Sequence, residues 1–119
     1  MPEAKIFDIR ERSFRFGTSI VKFINYLPQS TAGLAVSRQL VRSGTSVGAN
    51  IEEAQNCSTK KEFIRCLTIA LKEARETNYW LRLIAESGLM ERNKLTELDQ
   101  ESNELIKILI TIVKNSKKN

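Results

Sequence analysis

The sequence predicts an all-α protein, an antiparallel up-down-up-down four-helix bundle, on three observations. Apolar residues recur at alternating steps of three and four over four separate stretches, which is the period of an amphipathic helix. The two prolines stand at positions 2 and 28, so nothing breaks a helix from Gln29 onward. The 119 residues, 41% hydrophobic and 28% charged, suit a single domain with one core. Connections of only a few residues turn sequence neighbours back on one another.

The first helix, near residues 8–27, aligns Ile6, Ile9, Phe16, Ile20, Phe23 and Leu27, and Pro28 stops it. The second, about 32–56, aligns Val36, Leu40, Val47, Ile51 and Ala54, with Ser43 and Gly44 filling the missing steps. Thr59 followed by Glu62 makes a capping box that opens the third helix, 60–87. Its inward row is Phe63, Leu67, Ala70, Ala74, Thr77, Leu81 and Ile84, and Ser87-Gly88 ends it. The fourth, 91–115, carries Leu95, Leu98, Ser102, Leu105, Leu109 and Ile112. Gly44 and Gly48 each cost about 1 kcal/mol against alanine in a helix interior, so they predict close approach of a neighbour, for which Trp80 is the candidate.

Composition narrows the chemistry. There is no histidine, which removes imidazole triads, Cys/His zinc sites and Glu-x-x-His di-iron pairs, and no cofactor or metal is expected. Cys57 and Cys66 are the only thiols and are expected to be reduced, with Cys66 packed in the interior. The longest greasy run, "LIKILITIV", is far short of a membrane span and no secretory leader is evident, so a cytoplasmic location without membrane contact is expected. Nineteen Lys and Arg against fourteen Asp and Glu leave a charge of +5, which suits an anionic partner.

The third helix concentrates that charge. Lys61, Arg65, Lys72, Arg75 and Arg82 fall opposite the inward row, with Tyr79 among them. Such a stripe predicts a track for phosphates with an aromatic ring for stacking, although long basic side chains are also the ordinary solvated face of a bundle. On the second helix, Arg42, Ser46, Asn50 and Glu53 share one ridge, with Arg38 a turn earlier. Together with Glu76 they predict a cross-helix polar network that sets register, as a buried Asn does in a coiled coil. The competing reading is an acid/base strip using Arg42, Glu53 and Glu76. Beside their inward rows, Cys66, Ile69 and Trp80 on the third helix and Ile106, Ile108, Ile110 and Val113 on the fourth widen the apolar arcs, which predicts an oligomer interface.

The run "QLVRSGTSVGANIEEAQNCSTKKEFIRCLTIALKEARETNYWLRLI", residues 39–84, resembles the four helix bundle proteins encoded in intervening sequences of bacterial 23S rRNA genes. The matching positions are Arg42, Ser46-Val47, Asn50-Ile51, Glu53, Lys61-Glu62-Phe63, Ala70 and Glu76. The chain departs from the pattern at Glu52-Glu53-Ala54, where Ala-Glu-Gly is usual, and at Lys72-Glu73, where a Gly-Ser pair is frequent. The resemblance implies a basic bundle assembled into a homo-oligomeric, pentameric ring. A related branch is the accessory protein of diversity-generating retroelements, which binds nucleic acid and a reverse transcriptase. The expectation is therefore a non-enzymatic ring that binds RNA or DNA backbone through Arg38, Lys61, Arg65, Lys72, Arg75, Tyr79 and Arg82 without reading sequence. The alternative is a scaffold for a protein partner, or an accessory subunit of a nucleic-acid enzyme.

Overall fold

Four α-helices and one short 3₁₀ turn make up the computed structural model, which describes residues 2–118 and side chains from residue 9 to 118. There is no strand among the described residues. The helices are α1 (Pro2–Ile24), α2 (Thr31–Ala54), α3 (Lys60–Ser87) and α4 (Thr96–Lys117). Each packs on the next and α4 returns to α1, so they close a four-helix bundle with α1 and α3 at opposite corners. The bundle measures 48 × 21 × 18 Å.

The helix ends follow local chemistry. The α ladder of α1 stops at Ile24, and tighter turns carry the chain on, with Tyr26 N donating to Phe23 O at 3.0 Å and Leu27 N to Ile24 O at 3.2 Å. Pro28 disfavours α geometry in the residue before it, which is why the regular helix ends three residues short of Leu27. The hydroxyl of Ser30 accepts from Gly33 N at 3.1 Å and starts α2. Thr59 caps α3 through Glu62 N at 3.1 Å, but the carboxylate of Glu62 makes no return bond among the described residues, so the box is half made. Gly88, at φ 76°, closes α3 in the left-handed conformation, and Leu89 N donates to Ile84 O at 3.2 Å. The region expected to begin α4 at residue 91 forms the 3₁₀ turn Arg92–Lys94, and α4 proper starts at Thr96.

The four inward rows make the core. Ile9, Ile20, Leu40, Val47, Ile51, Leu67, Ala70, Ala74, Ile84, Leu105 and Leu109 are fully buried, each large aliphatic side chain stabilising the fold by about 1.5–3 kcal/mol. Phe23, Phe63 and Leu98 lie half-buried at its margin. Ile6 lies outside the described side chains.

One expectation about packing is corrected and another is narrowed. It is α1, not Trp80 of α3, that fills the space over the glycines of α2. A Cβ on Gly44 would stand 2.9 Å from Cγ2 of Ile20, and one on Gly48 would stand 3.2 Å from the backbone oxygen of Ser13. The broad apolar arcs are also largely consumed inside the bundle. Cys66 and Val113 are buried, Trp80, Ile106 and Ile108 are half-buried against the core, Ile69 is half-buried outside that cluster, and Ile110 is exposed at 40%. The two most exposed large hydrophobic side chains sit on α1 and in its turn into α2, Phe14 at 72% and Tyr26 at 76%, followed by Tyr79 of α3, Val21 and Leu34. The thiols of Cys57 and Cys66 are free and 3.7 Å apart, and burial pushes the Cys57 thiol above its ordinary value.

Candidate functional site

The outer side of α3 follows from helical geometry. Seven residues of its inward row and flank are buried in the bundle, so the positions opposite must face out. Lys61, Arg65, Lys72, Arg75 and Arg82 are all exposed, as is Arg38 on α2. Among the described residues none of these six makes an ion pair, and Arg82 only donates from Nε to Oδ1 of Asn78 at 3.1 Å. Tyr79 is 47% exposed and meets the ring of Trp80 edge to face, with centroids 5.0 Å apart. That leaves a face of Tyr79 open to a stacking partner.

Glu73 and Glu76, the acids beside the middle of the stripe, are held away from it. Arg42 reaches across from α2, donating from Nη1 to Glu73 at 3.2 Å and from Nη2 to Glu76. The second carboxylate also accepts from Nε1 of Trp80 at 3.0 Å. The side chain of Glu73 is only 16% exposed. Both negative charges are thus neutralised on the α2 side, and the outer face keeps its positive potential.

The ridge expected to form one network divides into two. Arg42 and Glu76 are joined across helices, with Glu73 as a third member that the ridge reading did not include. Ser46 instead donates to the carbonyl of Arg42 at 2.6 Å, and Asn50 to the carbonyl of Ser46 at 2.8 Å. Both bonds lie within α2, because a short hydroxyl or amide in a helix finds the carbonyl four residues back before it finds a neighbouring helix. Glu53 is exposed and its side chain makes no hydrogen bond or ion pair among the described residues. Grooves of about 760 Å³ between α1 and α4 and about 690 Å³ between α1 and α2 are lined by neither Glu53 nor Glu76.

Two polar junctions escaped the sequence reading. Thr77 donates to the hydroxyl of Ser43 at 2.9 Å in the fully buried α2–α3 contact. Asn78 donates to Asp99 at 3.0 Å and to Ser102 at 2.9 Å across α3 and α4. The signal for the first was present in the sequence, as a serine and a threonine inside apolar rows.

With this geometry in hand, the relatives can be named. The family model of the 23S rRNA-intervening sequence protein matches residues 5–111. The chain belongs to that family. Its fold agrees with a solved member. The crystal structure of a protein of unknown function from the S23 ribosomal protein family of Bacteroides thetaiotaomicron superposes with a TM-score of 0.86 at 38% identity. The match covers 92% of this chain and 98% of that one. A comparison with curated proteins finds no match. The 23S rRNA-intervening sequence family thus supplies the four-helix, all-α architecture, and the outer face of α3 supplies the chemistry to be explained. No helix among the described residues is long and apolar enough to cross a membrane.

Proposed function

We propose that this is a non-enzymatic, cytoplasmic protein that assembles into a homo-oligomeric ring and binds the phosphate backbone of structured RNA or DNA without reading sequence. The observation that carries the reading is the outer face of α3. Five cations stand there exposed and without ion pairs, while the neighbouring Glu73 and Glu76 are tied to Arg42. An ordinary solvated face mixes its signs, whereas this one carries no acid until Glu86 near its C-terminal end, which pairs with Arg92. Sequential helices are antiparallel in this reading, supported by residue pairs that climb one helix as they descend the next: Arg10 with Glu52, Ser13 with Gly48, and Ile20 with Gly44. With Ser43 on Thr77, the same arrangement of α2 against α3 would set Arg38 toward the Arg82 end of the stripe.

Mobility shifts with a structured RNA and a duplex DNA test the reading. Binding is expected at low salt and falls steeply as salt rises, because each neutralised phosphate releases counterions. Arg65→Glu with Arg75→Glu should abolish it. Absence of binding at low salt, or binding indifferent to that double substitution, refutes the proposal.

The ring, a pentamer by resemblance to the family, draws support from Phe14 and Val21, which stand exposed along a groove with Gly17, Gly48 and Ala49. A monomer in sedimentation would remove it. The same groove favours a second reading, a scaffold for a protein partner of a nucleic-acid enzyme. A pull-down that survives nuclease treatment would favour that reading over the first.

A further inference from the structure

The basic surface does not stop where α3 begins. Nζ of Lys60 donates to the backbone oxygen of Lys118 at 2.9 Å, which pins the end of α4 against the first turn of α3. That contact gathers Lys114, Lys117 and Lys118 with Lys60 and Lys61 at one end of a molecule 48 Å long. All five are exposed, and none makes an ion pair among the described residues. They share this with Arg38 and the α3 stripe, and with Lys22 and Lys94, whereas other cations are tied to acids. Arg10, Arg15, Arg42, Arg92 and Lys107 each pair with a carboxylate.

Lysines in the last turn of α4 offset its dipole, and that accounts for Lys114 and Lys117 but not for Lys60 and Lys61 at the start of the neighbouring helix. The acids of this end do not compensate them. Two acids stand nearest, Glu53 in the last turn of α2 and Glu62 in the first turn of α3, and the five lysines outnumber them. The stripe of α3 therefore runs without interruption into a lysine pole.

We propose that the nucleic-acid footprint covers the whole of α3 and turns onto this pole, so that Lys60, Lys114, Lys117 and Lys118 are backbone-binding residues. The inference rests on the nucleic-acid reading above and specifies its partner. From Lys61 to Arg82 the stripe spans about 32 Å at 1.5 Å per residue. At 3.4 Å per base pair that is about nine base pairs, and the pole adds a few more. The partner is a rigid duplex of about one helical turn or longer, which can touch both ends of the track at once.

Labelled mixed-sequence duplexes of about six, twelve and eighteen base pairs, titrated at several salt concentrations, test this on the full chain. Affinity should rise from the shortest to the middle length and level off once end effects are allowed for. Lys114→Gln with Lys117→Gln and Lys118→Gln should make the log–log salt slope shallower by about 2 to 3 on the longer duplexes, and change binding of the shortest by much less. Circular dichroism melts of the triple variant verify that α4 is intact. If that variant binds the longer duplexes with wild-type slope while Arg65→Glu with Arg75→Glu is weakened, the pole is not in the footprint and only the inference fails. If the unaltered protein binds none of the duplexes at low salt, the nucleic-acid reading fails with it.

Discussion

Gly44→Ala is the most informative single substitution in the fold, because two effects of known size oppose one another there. Alanine gains about 1 kcal/mol over glycine in a helix interior. Against this, the new methyl would stand 2.9 Å from Cγ2, 3.0 Å from Cγ1 and 3.3 Å from Cβ of Ile20, a fully buried side chain with no room to swing away. Overpacking of this kind costs about 1–3 kcal/mol. The net expectation is a loss of roughly 0–2 kcal/mol, or up to several degrees in Tm for a chain of this size. Gly17→Ala is the control. Its Cβ would meet Thr45 Cα at 3.8 Å, an ordinary contact, so the propensity gain of about 0.5–1 kcal/mol should survive. Thermal and urea melts of both variants measure the difference. A sharper version repeats Gly44→Ala in an Ile20→Ala background, where Cγ1 and Cγ2 are gone and only the Cβ contact at 3.3 Å remains, so the sign should reverse to a gain of up to about 1 kcal/mol. If Gly44→Ala raises Tm as much as Gly17→Ala does in the native background, the argument that Ile20 closes over Gly44 is refuted.

Three further outcomes follow from the polar contacts. Thr77→Val removes the donor to Ser43 in a fully buried site and should cost about 1–3 kcal/mol in urea unfolding, whereas Asn50→Ala, losing only a bond within its own helix, should cost less. Arg42→Ala frees Glu73 and Glu76 beside the basic face; stability should fall by about 0.5–1 kcal/mol, the pair being half-exposed, and duplex binding should weaken although no phosphate contact is deleted. The third concerns pH. The hydrogen bond from Arg10 holds the Glu52 carboxyl below its usual range, so its contribution is present above the unfolded value of about 4.3 and is lost as pH falls through the lower folded value. Glu52→Gln should therefore melt below the native protein at about pH 7 and converge with it in acid, and a gap that persists at about pH 2 would contradict this linkage.

What was legible in the sequence is what depends on one helix at a time. At 100° per residue, the rows of Leu67, Ala70, Ala74, Leu81 and Ile84 must share a side, and Lys61, Arg65, Lys72 and Arg75 must share the opposite one. Thr59 and Gly88 mark the ends of α3 because caps act through bonds of three to five residues. Those rules determined by themselves the helices, their inward faces and the exposure of the basic stripe. Which neighbour each face meets was decided only by the tertiary structure. Register and rotation bring Ile20, not Trp80, over Gly44, join Arg42 to Glu73 as well as Glu76, leave Asn50 bonded within its own helix, and turn the arc of α4 inward except at Ile110. The lysine pole belongs to the same class. Lys60 and Lys118 are 58 residues apart in sequence, and only the packing of α4 against α3 makes one surface of them.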